Sequence, residues 1–121
     1  SDASVAFIAM IEDPEALDEI DGILAVDGLD GVFIGRGDLT VAYGVASAAA
    51  PEVENACKRI WEEAGRAGKP VAVMVPNAGE ARRFQAMGAS AFIINSDQGF
   101  MQQAASQAYA DLSAVGAPQD R

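Results

Sequence analysis

Histidine is absent from this chain, cysteine occurs once, and basic residues are scarce. Each shortage removes a class of function. Without histidine, these 121 residues cannot by themselves build a Ser–His–Asp triad or a histidine-ligated metal site, so any acid–base or metal chemistry falls to carboxylates, Lys, Tyr, Cys, water or a second chain. A lone Cys57 makes no internal disulfide, which suits a reducing compartment. Eight Lys and Arg against 18 Asp and Glu leave a net charge of −10. A surface of that sign repels nucleic acid and anionic membranes, so neither is expected as a partner. No apolar run approaches the ~20 residues of a membrane span. The start, Ser1-Asp2-Ala3, lacks the basic opening of a secretory signal. The expected setting is cytoplasmic.

What is present reads as one globular domain, with 50% hydrophobic and 21% charged residues. Four short apolar segments stand out, at 5–11 (VAFIAMI), 31–35 (GVFIG), 71–75 (VAVMV) and 91–94 (AFII). Each is nearly continuous rather than alternating, as in strands covered on both faces of a parallel sheet. A helical pattern follows each one. Asp13 and Pro14 form an N-cap and first helical position before the stripe Ala16, Leu17, Ile20, Ile23, Leu24. A glycine-bearing loop (Gly35, Gly37, Gly44) and an alanine-rich stretch precede a helix over 51–67, closed by Gly68. Asn77 and Glu80 are spaced as a capping box for a helix that runs through Met87. Ser96 and Asp97 are candidate caps for a last helix to about 114, and 116–121 reads as a loose tail. The pattern is (βα)₄. It fits an open flavodoxin-like sheet or half of a (β/α)₈ barrel. Both place function at the carboxyl ends of the strands.

Glu12 follows the first predicted strand and Asp38 the second. Neighbouring strands lie ~4.8 Å apart, so both carboxylates reach one region above the sheet. That pair suits Mg²⁺ or Mn²⁺, which prefer oxygen and often keep waters. Position alone also allows, and more often gives, two solvated loop or capping acids. Gly35 and Gly37 permit close backbone approach, but Thr40 stands where a dinucleotide fingerprint needs its third glycine. Arg36 reads either as an anion binder or as a salt-bridge partner. Pro76 either lines a pocket or ends its strand. Cys57 reads as a small buried hydrophobe, and Trp61 and Met87 as helix-to-sheet packing.

The segments Met10-Ile11-Glu12-Asp13, Ala16-Leu17-Asp18-Glu19-Ile20 and Val26-Asp27-Gly28-Leu29-Asp30-Gly31-Val32-Phe33-Ile34-Gly35-Arg36-Gly37-Asp38-Leu39, with Gly44 beyond, strongly resemble the HpcH/HpaI aldolase family. These are class II, divalent-metal-dependent pyruvate aldolases with relatives among citrate lyase β-like enzymes. The later stretch from Gly88 to Gly99 resembles the family's last barrel strand and following turn. The resemblance implies a TIM barrel, of which residues 1–115 form the carboxyl-terminal half, strands five to eight. It implies that Glu12 and Asp38 hold Mg²⁺ or Mn²⁺, with other divalent metals possible. The Gly37 and Asp38 amides would hold the carboxylate of a small 2-oxo acid, with Arg36 and Pro76 nearby. Many members have Pro at Arg36 and Ala or Ser at Gly37, which bears on the aldehyde partner. The family's catalytic His and substrate-binding Arg belong to the amino-terminal half, and no residue here matches them.

A half-barrel leaves an inner face in need of cover, with Ile8, Phe33, Val73 and Ile93 expected on it. The expected partner is the amino-terminal half or another copy of the chain, within a homo-oligomer. Competing readings are a citryl- or malyl-CoA-type lyase, a non-catalytic half-barrel used for assembly, and a receiver-type module. The last needs a Lys after the final strand, where Asn95-Ser96-Asp97 stand instead.

Overall fold

The computed structural model describes residues 5–115. Four strands, β1 (Ile8–Ile11), β2 (Gly31–Ile34), β3 (Val71–Val75) and β4 (Ala91–Ile94), form one sheet in sequential order. All neighbours are parallel, with Ile11 opposite Ile34, Ile34 opposite Val73, and Val73 opposite Phe92. Sequential order under right-handed crossovers puts every helix on the same face of the sheet. A doubly wound sheet would need a reversal of strand order. The chain is therefore half of a TIM barrel.

The helices between the strands are α1 (Pro14–Asp18), α2 (Ile20–Leu24), α3 (Arg36–Ala42), α4 (Pro51–Arg66) and α5 (Ala78–Ala86); α6 (Asp97–Val115) follows β4. The caps fall where expected. Asp13 accepts from the Ala16 amide at 2.7 Å, and Asn77 accepts from that of Glu80 at 3.0 Å. The helix-facing side of the sheet packs against α4, whose Val53, Ala56, Cys57, Ile60, Trp61 and Ala64 are all buried. Burying one such large aliphatic or aromatic side chain contributes roughly 1.5–3 kcal/mol.

Alternation along the strands separates two faces. Val32 and Val73, beneath the helices, are 0% exposed. Met10, Met74, Ile8 and Ile93, on the other face, are 46–51% exposed. Val73 thus belongs to the covered face, against expectation. A continuous apolar run hides strand parity, and the register supplies it. Phe33 lies with the exposed set and is half-buried.

Three further boundaries differ from the sequence reading. β1 starts at Ile8, because the Phe7 amide is taken by the Asp30 carboxylate at 2.7 Å. The first helix breaks at Glu19 into two short ones. The glycine-bearing stretch after β2 is not a loop but the start of α3, anchored by a fully buried Leu39. Trp61 packs under the helices as expected, whereas Met87 is partly exposed. The expected tail, 116–121, lies outside the described residues.

Candidate functional site

The carboxyl ends of β1 and β2 meet in register. The Gly35 amide donates to the Ile11 carbonyl at 2.9 Å, which brings Glu12 beside Gly35. A Cβ at position 35 would fall 2.7 Å from Glu12 Cβ and 3.4 Å from Glu12 Oε2. Glycine is therefore a steric requirement here, and its missing side chain is the space over which the Glu12 carboxylate leans. Asp38 follows in the first turn of α3. Gly35, Arg36, Gly37 and Asp38 all line an open cavity of about 670 Å³ above the sheet.

Pro76, just past β3, lines the same cavity. Its floor continues onto the bare face through Met10, Phe33 and Met74. The two acids and Pro76 thus stand at one end of the sheet. Asp13 lies nearby in sequence, but its carboxylate is occupied in capping α1.

Arg36 is divided between two surroundings. It adds to the cavity wall, while its guanidinium crosses to α5 and lies 3.3 Å from Glu80 Oε2 and 4.6 Å from the centre of the Phe84 ring. Of its two sequence readings, the ion pair is the one present in the fold. Phe84 in turn stacks on Trp61, with centroids 5.2 Å apart. Cys57 sits in this packed region, and burial pushes its thiol up to about 11. A thiol held protonated in this way is not a nucleophile at neutral pH.

Asn95 was not singled out in the sequence. It joins β4 to α6 at φ 55° and lines the cavity beside Pro76. Asparagine after a strand is a known occupant of the left-handed region, and that was the available signal. A further feature with no sequence signature is the isolation of α6, none of whose residues is buried. No helix among the described residues is long and apolar enough to cross a membrane.

Comparison with known proteins places this geometry. The family model for HpcH/HpaI aldolase/citrate lyase matches residues 1–108. A 5-keto-4-deoxy-D-glucarate aldolase from Enterobacter sp. (strain 638) is 37% identical over 105 residues, covering 86% of this chain and 41% of that protein. The Shigella dysenteriae protein of the same name is 35% identical over the same share. Among solved structures, an HpcH/HpaI aldolase/citrate lyase family protein from Burkholderia cenocepacia superposes with a TM-score of 0.84 at 28% identity, covering 92% of this chain and 44% of that one. The citrate synthase SbnG gives 0.85 at 29% identity, with 92% and 46% covered. The chain therefore spans about two fifths of the length of the curated relatives it matches. Its four parallel strands, one-sided helices and matched residues make it a member of the HpcH/HpaI aldolase/citrate lyase family.

Proposed function

We propose that this chain is the carboxyl-terminal half of a divalent-metal-dependent aldolase. The reaction is reversible cleavage of a 4-hydroxy-2-oxo acid to pyruvate and an aldehyde. The observation that carries the reading is the placement of Glu12 against Gly35 and of Asp38 in the first turn of α3, just past the carboxyl ends of adjacent strands.

The residues fit a metal of the expected kind. Among the described residues, no three His, Cys, Asp or Glu side chains gather as a metal cluster. The chain offers two carboxylates and open positions, a donor set suited to Mg²⁺ or Mn²⁺ with waters and substrate oxygens completing the shell. Such an ion supplies Lewis-acid polarisation of the 2-oxo acid during carbon–carbon cleavage. Glu12 and Asp38 hold it. The Gly37 and Asp38 amides orient the substrate carboxylate, and Arg36 lines the same cavity. Pro76 bounds the cavity toward β3. Proton transfer belongs to a base in the amino-terminal half, a step typically worth ~10²–10⁴-fold.

The same reading supplies a cover for the bare face. A barrel interior is made of packed side-chain layers, and the curated relatives extend well beyond the span matched here. The amino-terminal half is the fitting partner for that face, within a homo-oligomer. The 121-residue chain alone is expected to be inactive, and to gain turnover when that half is added.

Calorimetric titration with Mn²⁺ tests the metal assignment. Glu12→Gln and Asp38→Asn are each expected to weaken binding at least about tenfold, in line with loss of a charged ligand. If neither variant binds more weakly than the parent, the metal assignment fails and a non-catalytic half-barrel is left. In the reassembled protein, cleavage of a citryl or malyl thioester in place of a 4-hydroxy-2-oxo acid would overturn the substrate class.

A further inference from the structure

Asp38 stands in the first turn of a seven-residue helix that begins between two glycines, Gly35 and Gly37. A Cβ at Gly37 would meet nothing within 4 Å, so steric contact does not fix this turn. Two other side chains do. Leu39 is fully buried in the core. Arg36 reaches α5, where Glu80 takes its guanidinium and the buried Phe84 ring supports it from below. Phe84 holds a second guanidinium, that of Arg83, 4.5 Å from its ring centre. Thr40 Oγ1 donates to the Arg36 carbonyl at 2.7 Å, closing the turn.

The helical angle gives this arrangement its meaning. Arg36 and Leu39 are three residues apart and share one flank of α3. Asp38 lies roughly 200° around the helix from Arg36, and both residues line the cavity. A helix held at Leu39 alone is free to roll about that point. A second hold at Arg36 stops the roll.

We propose that Glu80 and Phe84 on α5 are positioning residues: by holding Arg36 they set the rotation of α3, and with it the place of the Asp38 carboxylate relative to Glu12. The effect on metal binding rests on the reading of Asp38 as a ligand; the rotational hold does not.

Amide hydrogen exchange on the 121-residue chain without metal tests the hold. The probe is the Leu39 amide, bonded to the Gly35 carbonyl at 2.9 Å. Glu80→Gln is expected to speed its exchange about tenfold through local opening, with the α4 amides unchanged. Glu54→Gln removes a partner of Arg83, 2.8 Å away, and leaves the Arg36 pair in place. It is expected to leave Leu39 at the parent rate. No acceleration in Glu80→Gln, or equal acceleration in both variants, overturns the proposal. Phe84→Leu keeps the ion pair and much of the core volume, and its Leu39 rate is expected between those of the parent and Glu80→Gln.

Mn²⁺ titration then tests the consequence. Glu80→Gln is expected to bind about tenfold more weakly, the usual scale for loss of an orienting partner behind a ligand. Glu80→Asp, which keeps the charge, is expected to recover part of that loss. Faster Leu39 exchange with unchanged Mn²⁺ affinity would overturn the link to Asp38. A parent chain that binds no Mn²⁺ would overturn the metal reading, and the exchange rates would still decide the hold.

Discussion

The two faces of the sheet are built from the same kinds of residue and meet opposite fates. Toward the helices, Val32, Ile34, Val73 and Val75 are sealed under α4 and its neighbours. Away from them, Ile8, Met10, Met74 and Ile93 stand largely open. Hydrophobicity therefore does not distinguish the faces; connectivity does. Right-handed crossovers send every helix to one side, so the second face receives none of this chain's own crossover helices. The methionines there suit a surface that must fit a second layer, since an unbranched thioether adapts to irregular packing.

Substitutions on the two faces should separate sharply. Ile60→Ala, on α4 against the sealed face, is expected to cost about 2–5 kcal/mol of unfolding free energy from lost burial and the residual cavity, measured by urea unfolding. A cost as small as that of a surface change would show that the sealed face is not the core.

The helix over the sealed face also carries a pH signature. Burial raises the Cys57 thiol from 9.0 to about 11, so the folded chain holds this proton more tightly than the unfolded one. The sign follows: stability is full below pH 9 and falls as pH rises toward 11, because the unfolded thiol ionises first. That difference corresponds to about 3 kcal/mol at most. Cys57→Ala should flatten that part of the curve, and parallel curves for the two proteins would refute the assignment.

On the bare face the effect should nearly vanish in isolation. Met74→Lys is expected to change the stability of the chain alone by no more than about 0.5 kcal/mol. The same variant should weaken association with the amino-terminal half at least about tenfold, by placing a charge in a closed apolar layer. Equal association of parent and variant would mean that something else occupies this face.

The sequence reading and the fold agree where signals are local. All four strands, the Asp13 and Asn77 caps and the Pro51 helix start follow from short-range chemistry. Glu12, Asp38 and Pro76 follow the carboxyl ends of their strands, because parallel topology alone puts them there. What could not be read depends on distant partners. The face of Val73 is set by its pairing with Ile34. The hold on Arg36 comes from Glu80, 44 residues away. The helix at 36–42 has no clear signature because two glycines mask a turn that the burial of Leu39 stabilises. The left-handed turn at Asn95 has no residue pattern, because its positive φ belongs to a strand-to-helix corner.

The contact between Gly35 and Glu12 also shapes how this protein can evolve. An alanine at 35 is one nucleotide change away, yet its methyl would press on Glu12 Cβ, an atom fixed to the backbone and unable to swing aside. Position 35 can therefore diversify only after the end of β1 has shifted, and a shifted β1 no longer presents Glu12 in the same place. The two sites are locked into one heritable unit, so a lineage that loses the glycine loses the acid's placement with it.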